Sequence, residues 1–198
     1  MLPFSAACER NKDPILAVLR TEFATRHSVL EIGSGTGQHA AYFAAHLPQL
    51  SWQPTEMPPL PEALGEYLCR ANLPNLRPPL ALDVRQLPWP ASRADAVFSA
   101  NTLHIMSWER VRDFFRGVGA LLTTPGVLCV YGPFRYEGRY TSDSNREFDA
   151  ILRERDPASG LRDIQAISQL AREYGMRLMA DHDLPAFNRL LVFAKEPA

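Results

Sequence analysis

Val29-Leu30-Glu31-Ile32-Gly33-Ser34-Gly35-Thr36-Gly37 carries an apolar run straight into three glycines on alternate positions, with a helical pattern after them. A strand that empties into such a loop reads as a nucleotide-cofactor site. Glycine permits positive φ and removes the Cβ, so the backbone can turn sharply and approach a ligand while the next helix aims its first amides at it. Dinucleotide-binding loops follow G-x-G-x-x-G/A. Here the last of those positions is Gln38, the third glycine falls at Gly37, and an acid, Glu31, stands two residues before Gly33. Both departures point away from a nicotinamide dinucleotide. Taken alone, the loop also fits a plain strand-to-helix turn with an acid at the strand end.

Composition narrows the choice. A chain of 198 residues with 46% hydrophobic content suits one well-buried α/β domain over 1–198. A net charge of −1 gives no electrostatic footprint for nucleic acid. The three cysteines, Cys8, Cys69 and Cys129, are widely spaced and show no C-x-x-C pattern, so no metal site is expected and a reducing compartment suits them. The N-terminus lacks a basic segment followed by an apolar run, and no apolar stretch approaches the length of a membrane span. A cytoplasmic protein without a membrane partner is the expectation.

Along the chain, apolar runs alternate with helical patterns, the signature of βαβ units and a mostly parallel sheet. Asp13-Pro14 reads as cap and first turn of a helix in the N-terminal segment 1–27. Strands are expected at 28–32, about 50–56, 79–84, 95–100 and 127–131. Pro54, awkward in a strand, should mark where the second loses its ladder. From Trp108 a helix carries Val111, Phe114, Phe115, Val118 and Leu122 on one stripe, closed by Pro125-Gly126. A final helix over 164–174 stops at Gly175, and strands at 177–183 and 189–195 form an antiparallel hairpin. Between strand five and that helix, 133–163 is too long for a plain connection and reads as a lid. Within it Ser144 and Glu147 form a capping box, with Phe148, Ile151 and Leu152 as the apolar face of a helix.

The E-x-G-x-G-x-G pattern after an apolar strand resembles the first motif of the class I S-adenosylmethionine-dependent methyltransferases. The resemblance implies a Rossmann-like α/β fold, with a mostly parallel seven-stranded sheet, an antiparallel last strand and helices on both faces. It implies S-adenosylmethionine as cofactor, with Gly33, Ser34, Gly35 and Gly37 under its methionine part and Glu31 near its ammonium group. Glu56, ending the second strand, can meet two vicinal ribose hydroxyls with two acceptors, although nicotinamide enzymes use the same device. Asp83, after the third strand, would accept from the adenine amino group, with the Val84 amide serving the ring; by itself such an Asp also fits a turn.

The fourth strand opens into Asn101-Thr102-Leu103-His104. Asn101 would contact the cofactor and His104 the acceptor, unless His104 is an ordinary packed histidine. Amide- and adenine-methylating relatives carry Asn/Asp-Pro-Pro-Tyr/Phe there, which this chain lacks. Beyond the superfamily, the chain resembles an uncharacterised methyltransferase-like group of bacteria and animals. The matching segments are 4–11, Tyr131-Gly132-Pro133-Phe134, 142–149, Asp156-Pro157 and Gly160-Leu161-Arg162-Asp163. Within the first, Arg10 and Asn11 suit orienting the cofactor carboxylate; within the lid, Tyr136 joins His104 as a candidate catalytic residue. The expected acceptor is a small molecule. Two other readings remain: a non-catalytic cofactor-binding or protein-interaction module, and an NAD(P)-binding oxidoreductase.

Overall fold

The computed structural model describes residues 4–195 and Pro197; the other positions of the expected 1–198 domain, including the first three of the N-terminal segment, lie outside the described residues. Helix α1 spans Ala6–Glu22, capped by Ser5, whose hydroxyl accepts from the Cys8 amide. The helix therefore begins earlier than the Asp13-Pro14 cap expected from sequence, and Pro14 lies inside it. Proline there removes one backbone donor, a cost of about 3 kcal/mol in an isolated helix. Burial of Ile15, Leu16 and Leu19 against the sheet offsets it.

Seven strands form one sheet. In chain order they are β1 (Ser28–Ile32), β2 (Ser51–Glu56), β3 (Leu80–Ala81), β4 (Ala94–Ala100), β5 (Leu122–Gly132), β9 (Met176–Leu184) and β10 (Asn188–Lys195). Their spatial order is β3-β2-β1-β4-β5-β10-β9. Parallel pairing joins β3 through β5, and β10 pairs antiparallel with β5 and β9, so the last strand alone runs against the rest. Helices α2 (Gln38–His46), α3 (Glu62–Ala71), α4 (Trp108–Leu121) and α6 (Ile164–Glu173) connect these strands.

Strand alternation divides the core between the two faces. Val29, Ala96, Phe98 and Cys129 pack with α1, α2 and α3, while Leu30, Val97, Leu128 and Val130 pack with α4 and α6. On the first face Phe43, Trp52 and Phe98 meet with ring centroids 5.3 to 6.1 Å apart, each fully buried. Burial of one such ring is worth roughly 1.5–3 kcal/mol.

Pro54 stays in β2, paired with Glu31. Trp52, two residues earlier, donates its amide to Asn75 on the β3 side. Pro54 faces the same way and has no amide to give. The third strand, expected over 79–84, is accordingly reduced to Leu80–Ala81. Leu122 opens β5 rather than closing the α4 stripe, and Pro125-Gly126 falls within that strand.

The segment 133–163 folds into β6 (Phe134–Tyr136), β7 (Arg139–Tyr140), α5 (Asp143–Arg155) and β8 (Arg162–Asp163), with a small sheet ordered β7-β6-β8. Ser142, not Ser144, caps α5 by accepting from the Asn145 amide. Of the apolar face expected for α5, only Leu152 is buried; Phe148 and Ile151 are exposed.

Candidate functional site

At the carboxyl ends of β1, β2 and β4 lies a cleft of 730 Å³, the position where open parallel sheets hold ligands. Its size is that of an ordinary small-molecule site. Gly33, Ser34, Gly35, Glu56, Asp83, Val84, Asn101 and His104 all line it. Backbone bonds staple the glycine loop to β2: Gly33 and Ser34 both donate to the Thr55 carbonyl, at 3.1 and 2.9 Å. Gly33 has φ +77°, and a Cβ there would stand 2.5 Å from Thr102 Cγ2. Gly35 has φ +55° with open space where its Cβ would be. One glycine thus lets β4's exit pack against the loop, and the other leaves room for a ligand over it.

Glu56 sits at the lip of the cleft. Its Oε2 accepts from the Gly35 amide at 2.7 Å and its Oε1 from the Met57 amide at 2.9 Å, which fixes the carboxylate beside the loop with lone pairs to spare. Asp83 is held by Arg85, whose Nε and Nη2 donate to it at 3.0 and 2.6 Å. Those guanidinium bonds hold the Asp83 carboxyl below its ordinary value, so it stays an acceptor.

Glu31 does not line the cleft. It is 1% exposed beneath the loop, where it accepts from Trp52 Nε1 at 3.0 Å, and burial pushes its pKa up to about 7. It supports the loop and touches no ligand space. Gly37, at the head of α2, packs against Leu64 and Leu68, away from the cleft.

The residues expected to orient the cofactor carboxylate also stand one layer back. Arg10 is exposed and outside the lining. Asn11 Oδ1 lies 2.7 Å from Nε2 of His39, a buried histidine on α2 that does line the cleft. Burial pushes the His39 pKa down to about 4, leaving it neutral. Gln38, the residue that breaks the dinucleotide pattern, clasps α1 to the loop: its Oε1 accepts from the Ser5 amide at 2.5 Å and the Thr36 hydroxyl at 3.0 Å, and its Nε2 donates to Glu9 at 3.0 Å.

On the other side of the cleft, Asn101 leaves β4 at φ +58° while its amide donates to the Tyr131 carbonyl at 2.8 Å. A non-glycine residue held there is strained, a feature that clusters at functional sites. His104 follows, its ring edge-on to Phe148 at 5.3 Å. Burial, then the nearby positive charge of Arg162, lowers its pKa to about 4.

Arg162 holds this turn. Its guanidinium is buried and donates to the carbonyls of Leu103 and Ala158, each at 3.0 Å, and of Met106; beside it the Gly160 amide donates to the His104 carbonyl at 2.8 Å. Segment 133–163 therefore forms a wall of the cleft, reaching it through Phe148 and bracing it through Arg162.

Tyr136 is not in that wall. Its hydroxyl donates to Asp181 at 2.6 Å, and Tyr140 donates to Asp149 at 2.7 Å, so both brace the segment. Sequence reasoning missed Gln38, His39, Phe148 and Arg162. Among the described residues no cluster of three His, Cys, Asp or Glu could hold a metal ion, and no helix is long and apolar enough to cross a membrane.

The architecture is shared with solved methyltransferases. An O-methyltransferase family protein from Burkholderia thailandensis aligns with a TM-score of 0.81 at 19% identity, over 97% of this chain and 58% of that one. A putative O-methyltransferase from Nostoc punctiforme gives 0.82 at 16%, over 96% and 58%. Human N-acetylserotonin methyltransferase, solved with S-adenosylmethionine, gives 0.80 at 14%, over 96% and 53%. The chain spans little more than half the length of these proteins, and at such identities the likeness shows the fold. From residue 2 to residue 195 the sequence matches the family described as "Protein of unknown function (DUF938)", and the chain is a member of that family, built on the fold of S-adenosylmethionine-dependent methyltransferases.

Proposed function

We propose that this protein is an S-adenosylmethionine-dependent methyltransferase that binds its cofactor over β1, β2 and β3 and methylates a small molecule beyond the exit of β4. The observation that carries this reading is the convergence of Gly33-Ser34-Gly35, Glu56, Asp83-Val84 and Asn101 on one cleft. The residues present fit the cofactor. The open space above Gly35 leaves a path for its chain, Glu56 offers two oxygens to a pair of ribose hydroxyls, and Asp83 offers a carboxylate to an exocyclic amine.

When bound, S-adenosylmethionine would supply an electrophilic sulfonium methyl, leaving as the thioether S-adenosylhomocysteine once the methyl is bonded to the acceptor atom, whose proton would pass to solvent. The chain's own part is to align the acceptor and exclude water. Such alignment can be worth roughly 7–11 kcal/mol of barrier. His104, neutral at pH 7, accepts a hydrogen bond from an acceptor's proton at one ring nitrogen. With its pKa near 4 it orients that proton more than it removes it.

Thermal melts test the cofactor assignment. S-adenosylmethionine or S-adenosylhomocysteine at 100 times its dissociation constant stabilises by about 2.7 kcal/mol, and NADH should give nothing. Transfer of labelled methyl into a metabolite extract then tests catalysis. Stabilisation by NADH alone refutes the proposal.

A further inference from the structure

Among the described residues, several large apolar side chains left in water lie at or beside the cleft. Met57, Ile105 and Phe148 each line the cleft, and Ile105 is 56% exposed, Phe148 36%. Ile151, 46% exposed, follows Phe148 by three residues on α5 and so shares its face of the helix. Phe4, also exposed, adjoins Ser5, which lines the cleft from the other side. Helix α5 thus buries Leu152 and leaves Ile151 exposed beside Phe148, which lines the cleft. A contiguous exposed apolar surface continuous with a cavity marks what the cavity receives.

The charges are distributed the same way. At the exit of β4 the cleft is lined by the Asn101 carboxamide, the Thr102 hydroxyl, which is bonded to Ser99, and the neutral His104 imidazole. Arg162 is turned onto three backbone carbonyls. Arg110 also lines the cleft, and its positive charge acts on the Asp83 carboxylate. Neither Asn101 nor His104 offers an ionised acceptor an opposite charge in exchange for its water.

We propose that the half of the cleft beyond the exit of β4 takes an uncharged, lipophilic acceptor, whose apolar body lies on Ile105, Phe148 and Ile151 while its reacting atom meets His104. The proposal rests on the methyltransferase reading above.

Binding of 2-naphthol and of its anionic counterpart 2-naphthoate to the full chain, measured by calorimetry with S-adenosylhomocysteine saturating, tests it. The uncharged probe should bind at least ten times more tightly than the carboxylate. Phe148→Ser should weaken 2-naphthol about tenfold, and Ile151→Ser about threefold, whereas Met179→Ser, at a still more exposed apolar residue on the edge strand β9, should change nothing. Both α5 side chains are exposed, so neither variant should unfold the protein. Equal or tighter binding of 2-naphthoate, or indifference of 2-naphthol to Phe148→Ser, overturns the proposal while leaving the cofactor reading intact. So does sedimentation showing a dimer that Phe148→Ser dissociates, because the surface is then an interface between copies. Failure of S-adenosylhomocysteine itself to bind overturns the methyltransferase reading first.

Discussion

Replacing Glu31 by glutamine should make the protein more stable above neutral pH and leave it nearly unchanged in acid. Glu31 ionises near 4.5 in an unfolded chain, and burial raises that to about 7 in the folded one. Between those values the folded state binds the extra proton, so the stability contributed by Glu31 is intact below pH 4.5 and declines as pH rises toward 7. At about 1.36 kcal/mol for each unit of pH, the loss is capped at about 3 kcal/mol. Glutamine keeps an acceptor for Trp52 Nε1 and never ionises.

His39 and His104 act in the opposite sense. Their folded values near 4 lie below the ordinary 6.5, so the unfolded chain binds their protons first, and stability falls as pH drops through that interval. They are common to both proteins and cancel in the comparison. Urea unfolding of parent and Glu31→Gln at several values from pH 4.5 to 8 should therefore show a difference that grows by about 3 kcal/mol, with the m value constant. A difference that stays flat with pH would show that Glu31 ionises normally and that its burial beneath the loop is misjudged.

Glu56→Ala and Asp83→Ala should each weaken S-adenosylhomocysteine ten- to a hundredfold in calorimetry, since a charged hydrogen bond contributes roughly 1.5–3 kcal/mol; unchanged isotherms in both would displace the adenosine from this half of the cleft. Gly33→Ala and Gly35→Ala should separate stability from binding. The first drives a methyl into Thr102 and costs about 1–3 kcal/mol in urea unfolding, while the second should cost less and instead impair cofactor binding; the reverse ranking refutes the division of labour. Arg162→Met abandons three carbonyls and should cost about 3 kcal/mol or more. Loss of its charge should also raise the pH at which His104 titrates by NMR, and an unmoved midpoint would deny that coupling.

The glycine loop, the succession of strands along the chain and the carboxylates of the cleft were legible because each rests on a local signature: an apolar run, a spacing, an acid at a strand end. Glu31 shows where this stops. Its position was readable, but whether a side chain at a strand end points into a cleft or beneath a loop depends on the neighbouring strand, here Trp52 of β2. Helix α1 was placed too late because Asp13-Pro14 mimics a start, while the true cap, Ser5, lies ahead of Ala6-Ala7-Cys8 and a polar run over 9–13 that shows no apolar stripe. Tyr136 attracted notice as a hydroxyl in a long connection, yet its partner Asp181 lies 45 residues away. Arg162 left almost no trace in residue types, because its acceptors are backbone carbonyls, which any sequence supplies.

The bracing by Arg162 and the placement of Phe148 give the two halves of the cleft separate origins in the chain. Most of the cofactor half is assembled from loops that precede residue 85, and the opposite half from the exit of β4 and from the segment beginning at Pro133, through Phe148. Those parts can diverge independently. Exchanging residues 133–163 between members of the family should transplant acceptor preference while leaving affinity for the adenosyl group where it was. A lineage could acquire new chemistry in this way by rewriting one wall of the cleft, with the sheet beneath it and the loop at Gly33 left intact.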